Sequence, residues 1–233
     1  MTQAVNEPKR ESMLLNLALN IIIPTVILTK LSGDEHLGTQ WAIVVALAFP
    51  ILYGINDFRH NKKVNLFSAL GVLSIVLTGG ISLLELDPQY IVIKEAGVPA
   101  LFGIATLISL RTRYPLVKTL LYNDKILQVD KVADALERTN NQNAFDGALV
   151  NASYLITLSF FVSSVLNYAL AKYLLVSPPG TEAFNAELGK MTALSFPVIA
   201  VPATIMMMGA LFYLFNQIKK LTELDLEDIL IQQ

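Results

Sequence analysis

The chain contains no cysteine, which excludes disulfide cross-links, thiolate nucleophiles, zinc ribbons and iron–sulfur clusters and leaves the redox compartment open. Histidine is nearly as scarce. His36 and His60 are the only two, and neither begins an H-E-x-x-H or related metal-binding pattern. No G-x-S-x-G elbow, P-loop or G-x-G-x-x-G is present, so nucleophilic hydrolysis and nucleotide-driven chemistry find no support. The shortage with the widest consequence is charge. Only 15% of the 233 residues are Asp, Glu, Lys or Arg, against about 25% in an ordinary soluble domain. The 17 basic and 19 acidic side chains are too few to coat a soluble particle of this size. A net charge of -2 also argues against a nucleic-acid partner, which normally selects a basic domain.

What is abundant is apolar sequence, at 54% of residues with a mean hydropathy of +0.54. Such a composition is resolved by a bilayer, because each membrane-crossing helix needs roughly 20 apolar residues. Six runs meet the requirement: 13–31, 40–56, 66–86, 90–110, 148–176 and 191–218. The expected fold is therefore all-α, a polytopic six-helix membrane bundle. It divides into a tail at 1–12, four spans within 13–110, a connector at 111–147, two spans within 148–218 and an acidic tail at 219–233. The first run follows Lys9 and Arg10 as a secretory signal would, but it exceeds a signal core and its exit, Thr29-Lys30-Leu31-Ser32-Gly33, lacks a small-residue cleavage site. It reads as a retained helix.

Lys and Arg favour the cytoplasmic side of a membrane. With six spans, one side holds Lys9, Arg10, Arg59, Lys62, Lys63, Arg111, Arg113, Lys118, Lys125, Lys131, Arg138, Lys219 and Lys220, and the other only Lys30, Lys94, Lys172 and Lys190. Both termini are thus expected in the cytoplasm. Within the connector, Asn123 or Asp124 can cap an amphipathic helix with Ile126, Val129, Ala133 and Leu136 on one face. Asn140-Asn141-Gln142-Asn143 reads as a polar hinge after it, and the tail from Leu221 as a short amphipathic helix.

Polar groups inside the spans are the best functional clue, because hydrocarbon makes them costly. Asn16 and Asn20 are four residues apart on the first span, with Pro24 one turn further; they can bond a neighbouring helix or line a polar cavity, and Pro24 releases the carbonyl of Asn20. The fourth span carries Lys94-Glu95, with Pro99 four residues beyond Glu95. From Ala96 to Leu110 the helix covers only about 22 Å, short of the roughly 30 Å hydrocarbon core. Two accommodations are open: Arg111 and Arg113 reach back to the inner boundary by snorkelling, or Lys94 and Glu95 dip below the outer one. The fifth span carries Ser153, Thr157, Ser164 and Tyr168 on roughly one face, with Asn151 and Asn167 near it. In the sixth, Pro197 and Pro202 predict a bent helix, and Met206-Met207-Met208 reads as adaptable packing.

Three resemblances attach to these residues. Gly54-Ile55-Asn56-Asp57-Phe58-Arg59-His60-Asn61-Lys62-Lys63 resembles the loop between the second and third helices of major facilitator transporters, with Phe58 separating Asp from Arg and Asn61 where that family has glycine. Six spans are half of such a transporter, so this resemblance implies a homodimer. Asn20-Ile21-Ile22-Ile23-Pro24, Pro50-Ile51-Leu52-Tyr53 running into Asp57 and Arg59, Lys94 with Pro99, Ser109-Leu110-Arg111, and Asn185-Ala186-Glu187 before Pro197 and Pro202 resemble a family of bacterial multi-pass membrane proteins to which no activity is attached. Lys94, Pro99 and Asn167-Tyr168-Ala169-Leu170-Ala171 are more loosely similar to the intracellular septation protein A family. These resemblances imply a bacterial inner-membrane location.

The leading expectation is a non-enzymatic transporter or channel-like protein for a small solute or ion, with no cofactor or metal. Asn16, Asn20, Pro24, Lys94, Glu95, Pro99 and Asn167 are the candidates for its path, and Asp57, Arg59, Arg111 and Arg113 for its cytoplasmic mouth. The alternative is an envelope-organising scaffold of the septation type, docking partners through the connector helix and the acidic tail.

Overall fold

A computed structural model describes residues 16–61, 66–112, 115–122 and 127–231. Among these the regular structure is helical, and the only strand-like pairing is an isolated antiparallel bridge between Leu127 and Leu230. The helices are α1 (Ile23–Lys30), α2 (Gly38–Asn61), α3 (Leu66–Leu83), α4 (Gln89–Ser109), α5 (Leu116–Leu121), α6 (Val129–Arg138), α7 (Gln142–Leu174), α8 (Glu182–Ser195), α9 (Val201–Thr222) and α10 (Leu226–Ile229).

Four segments are long and apolar enough to cross a membrane: Gly38–Asn56, Gln89–Ser109, Gln142–Leu174 and Glu182–Thr222. Only 17% to 33% of each apolar window is buried, and residues such as Leu101, Ile108, Ile205 and Phe212 face outward. Water would penalise that surface, whereas lipid matches it. The first and third expected spans fall on shorter apolar helices, Ala18–Lys30 and Leu73–Leu83.

Prolines set the local departures from α geometry. Ahead of α1, residues Ala18–Ile22 form a π turn in which the Ile23 amide bonds the Ala18 carbonyl, and Pro24 follows at the start of α1. Ahead of α9 the arrangement repeats: Phe196–Ala200 form a π turn and Pro202 starts the next α segment. Proline lacks an amide hydrogen and clashes with the carbonyl four residues back, so a wider turn accommodates it. Pro50 and Pro99 lie inside helices that remain continuous.

Several expected boundaries move. The second span continues as helix to Asn61, so Asp57-Phe58-Arg59 have helical backbone and do not begin a loop. The fifth begins at Gln142, which reduces the expected hinge to Asn140 and Asn141, the former with φ 54°. Asn123, Asp124 and Ile126 lie outside the described residues.

The chain divides into two compact units. The first comprises residues 1–94 and 170–195, the second 95–169 and 196–233. Core residues of the first include Ile27 and Leu28 of α1, Ile43 and Ala46 of α2, Ile91 and Val92 of α4, and Phe184 and Leu188 of α8. Helices α1 and α8 approach closely at Gly189, where an added Cβ would lie 2.9 Å from Thr29 Cγ2 and 3.2 Å from the Thr25 carbonyl. A small residue is what permits that approach.

The core of the second unit joins Val117 of α5, Leu127, Val132 and Leu136 near α6, Phe145 and Leu149 of α7, Leu214 and Ile218 of α9, and Ile229 of α10. The buried face of α6 is Val132, Ala135 and Leu136, while Ala133, expected on that face, is exposed. The Gln128 amide donates to the Ile229 carbonyl at 2.9 Å, Gln128 Nε2 to the Leu230 carbonyl at 3.0 Å, and Lys131 pairs with Asp228 at 2.6 Å. Connector and tail therefore cover one another.

Candidate functional site

The first unit places a lysine among hydroxyls. Lys94, half-buried in the first turns of α4, sends its ammonium to α3, donating to Thr78 Oγ1 at 2.7 Å, Ser74 Oγ at 2.9 Å and the Ser74 carbonyl at 3.3 Å. Thr78 in turn donates its hydroxyl proton to the Ser74 carbonyl at 3.0 Å. Ser74 stands near the middle of the 18-residue α3, roughly 12–14 Å from either end at 1.5 Å per residue. The side chain thus turns from α4 toward α3.

Ser74, Thr78 and Ser82 recur every four residues and so share one face of α3. Ser82 is 1% exposed, and its hydroxyl makes no hydrogen bond. The sequence reading missed all three. Their spacing was the available signal, but serine and threonine are so common in apolar helices that spacing alone does not separate them from packing residues; Lys94 reaches Ser74 and Thr78.

The remaining expected path residues fall in separate places. Asn20 Nδ2 donates to the Asn16 carbonyl at 2.9 Å and to Asn16 Oδ1 at 3.2 Å, and Asn16 Nδ2 approaches the Tyr53 hydroxyl of α2 at 3.4 Å. Asn20 thus bonds within its own helical segment, and Asn16 approaches α2. Pro24 is buried in α1 beside the π turn. In the second unit, Glu95 and Pro99 are half-buried on α4, and Asn167 Nδ2 donates to the Ser163 carbonyl within its own helix at 2.8 Å. Ser164 reaches from α7 to the Ala96 carbonyl at 2.7 Å, and Gly103 lies under the Phe161 ring. Those contacts join α4 to α7 by close packing.

Among the mouth candidates, Arg111 is exposed in the turn after α4. Arg113 and the side chains of Asp57 and Arg59 lie outside the described residues. No cluster of three or more His, Asp or Glu able to hold a metal occurs among the described residues.

A second buried polar group ties α8 to the loop after α1 and to the start of α2. Asn185, fully buried, donates to the Thr39 carbonyl at 2.8 Å and to Ser32 Oγ at 3.2 Å. Glu187 accepts from the Val176 and Ser177 amides at 3.0 and 2.9 Å and from the Ser177 hydroxyl at 2.6 Å, holding the chain that follows α7. Both are structural fastenings.

No protein-family profile, curated protein or solved structure matches the chain.

Proposed function

We propose that the chain is a six-span protein of a bacterial inner membrane, with both termini in the cytoplasm, that moves a small solute or ion as a homodimer. Ala18–Lys30 and α3 supply the two spans beyond the four long apolar segments. The reading also keeps the resemblance to the bacterial multi-pass family, which carries the same lysine and proline on its fourth helix.

One observation carries the transport half: the Lys94 ammonium reaches hydroxyls midway along an apolar helix. An ionic group at that depth is costly and is ordinarily retained where it handles a charge or a solute. The scaffold alternative draws less support. The connector face it would use holds Leu136, buried against the chain's own core, and the tail it would use holds Ile229, equally buried there.

The test is reconstitution into sealed vesicles with a panel of inorganic cations, inorganic anions and small neutral solutes. Protein-dependent flux of one member, abolished in Lys94→Met, is the expected result. Absence of flux across the whole panel would remove the transport reading. Topology is checked by cysteines placed at Glu35, exposed in the loop after α1, and at Ser177, which should label from outside, and at Asn61, which should not.

A further inference from the structure

We infer that two copies of this chain exchange their tails, so that Ile229 of one copy fills the seat beside α6 of the other. The exchange rests on the homodimer proposed above and supplies its contact.

The backbone at the end of α9 is the first reason. The helix closes on Glu223, whose φ is 59°. A left-handed residue at a helix end is ordinarily glycine and sometimes asparagine, because a Cβ in that conformation crowds the following carbonyl oxygen. Glutamate meets the same crowding without asparagine's short side chain, which can bond the local backbone.

That residue opens a hinge between two firm attachments. Before it, the Leu221 carbonyl accepts from Thr139 Oγ1 at 2.8 Å and from Asn141 Nδ2 at 3.0 Å, which fixes the end of α9. After it, Ile229 is fully buried among Leu127, Val132 and Leu136, and Gln128 donates to the Ile229 and Leu230 carbonyls. The three residues between α9 and α10, Glu223 to Asp225, are held less. Glu223 and Asp225 are exposed, and Leu224 is half-buried. The Leu224 amide reaches Thr222 Oγ1 at 3.3 Å, and the Lys219–Asp225 pair is exposed on both sides and so adds little.

Opening this hinge leaves the seat and the tail complementary. A tail from a second copy makes the same contacts with the seat as the chain's own, so the two arrangements differ mainly at Glu223 to Asp225. The exchanged form gives up the Leu224 packing and the exposed ion pair, and it releases Glu223 from its left-handed backbone. Short hinges under strain invite such exchange, and exchange is a low-cost route to a symmetric dimer. Fully extended, three residues span about 10 Å, comparable with the roughly 8–10 Å between the axes of packed helices. Copies sharing one membrane and one orientation also present hinge and seat at the same depth.

Because the chain has no cysteine, introduced thiols report the exchange without background. Full-length copies carrying Lys131→Cys alone and Asp228→Cys alone, with different tags, are co-expressed and treated in membranes with a short bismaleimide. Lys131 and Asp228 are in contact across the seat, and no copy carries both thiols, so a covalent heterodimer on a denaturing gel requires the tail of one copy on the connector of the other. The expected result is a heterodimer band well above that of a control pair, Lys131→Cys with Glu137→Cys, which reports random collision. Adding Glu223→Gly to both copies relaxes the closed hinge and should lower the yield about fivefold per hinge. A protein that is dimeric by light scattering but gives no heterodimer above the control overturns the exchange and leaves the homodimer standing. A monomeric protein overturns both. A heterodimer yield unchanged by Glu223→Gly overturns the hinge strain as its cause.

Discussion

The attachment of the C-terminal tail to the connector should be governed by one apolar side chain, Ile229, and only weakly by the ion pair beside it. Ile229 is fully buried in the cluster containing Leu127, Val132 and Leu136. Truncating a buried isoleucine to alanine costs about 2–5 kcal/mol, and a short tail that can partly collapse belongs toward the lower end, about 3 kcal/mol. At 1.4 kcal/mol per decade that is roughly a hundredfold rise in the fraction of time the tail is detached. The Lys131–Asp228 contact is short, 2.6 Å, but its side chains are 42% and 50% exposed. Exposed pairs of this kind contribute about 0.2–1 kcal/mol, at most a fivefold change. Hydrogen exchange at the Gln128 amide, which donates to the Ile229 carbonyl, reports the opening directly. Ile229→Ala should accelerate that exchange by about two decades, while Asp228→Ala or added salt should change it several-fold at most. If Asp228→Ala, or high salt alone, released the amide as strongly as Ile229→Ala, the ranking of burial over ion pairing here would be wrong.

Three other outcomes follow from close packing, buried polarity and exposure. Gly189→Ala should lower thermal stability by about 1–3 kcal/mol, because the new methyl meets the Thr25 backbone carbonyl as well as Leu28 and Thr29; Gly79→Ala should cost less, since its nearest neighbour is only the tip of the Leu47 side chain, and equal losses would contradict the packing argument. Asn185→Leu keeps the side-chain volume but strips the donors from the Thr39 carbonyl and Ser32 Oγ, so unfolding in detergent should show a loss of about 1–3 kcal/mol, and an unchanged midpoint would refute the role. Trp41, the sole tryptophan, is 66% exposed near the start of α2, where an aromatic belt would place it at the lipid–water boundary; lipids brominated near the headgroup should quench its fluorescence more than lipids brominated near the chain ends, and the reverse order would displace it from that boundary.

Much of the secondary structure was legible because it depends on local composition. Apolar runs with few charges marked helical segments, four of them long and apolar enough to cross a membrane among the described residues, and Pro24, Pro197 and Pro202 marked places where the helix widens, since a missing amide hydrogen acts within one turn. The boundaries at Asn61 and Gln142 were misplaced because polar residues such as Asn56, Asp57 and Asn143 end an apolar run without ending a helix. The face of α6 was also out of reach. Val129, Ala133 and Leu136 make as good a helical stripe as Val132, Ala135 and Leu136 on spacing alone, and the choice between them lies in what covers the helix.

The candidate site shows the same division. Lys94 stands out in the sequence as a charge that an apolar helix must accommodate, and the length of α4 allowed it to face either way. Its direction was decided by Ser74 and Thr78, sixteen and more positions earlier, whose oxygens supply polar contacts for the ammonium. Ser82 became conspicuous only when burial and its missing hydrogen bond were seen together. The sequence by itself thus determined that the chain is helical and has segments apolar enough to span a membrane, because those properties are sums over neighbouring residues. The tertiary structure decided which polar groups meet, because a hydrogen bond depends on the position of both partners and the spacing along one helix specifies only one of them.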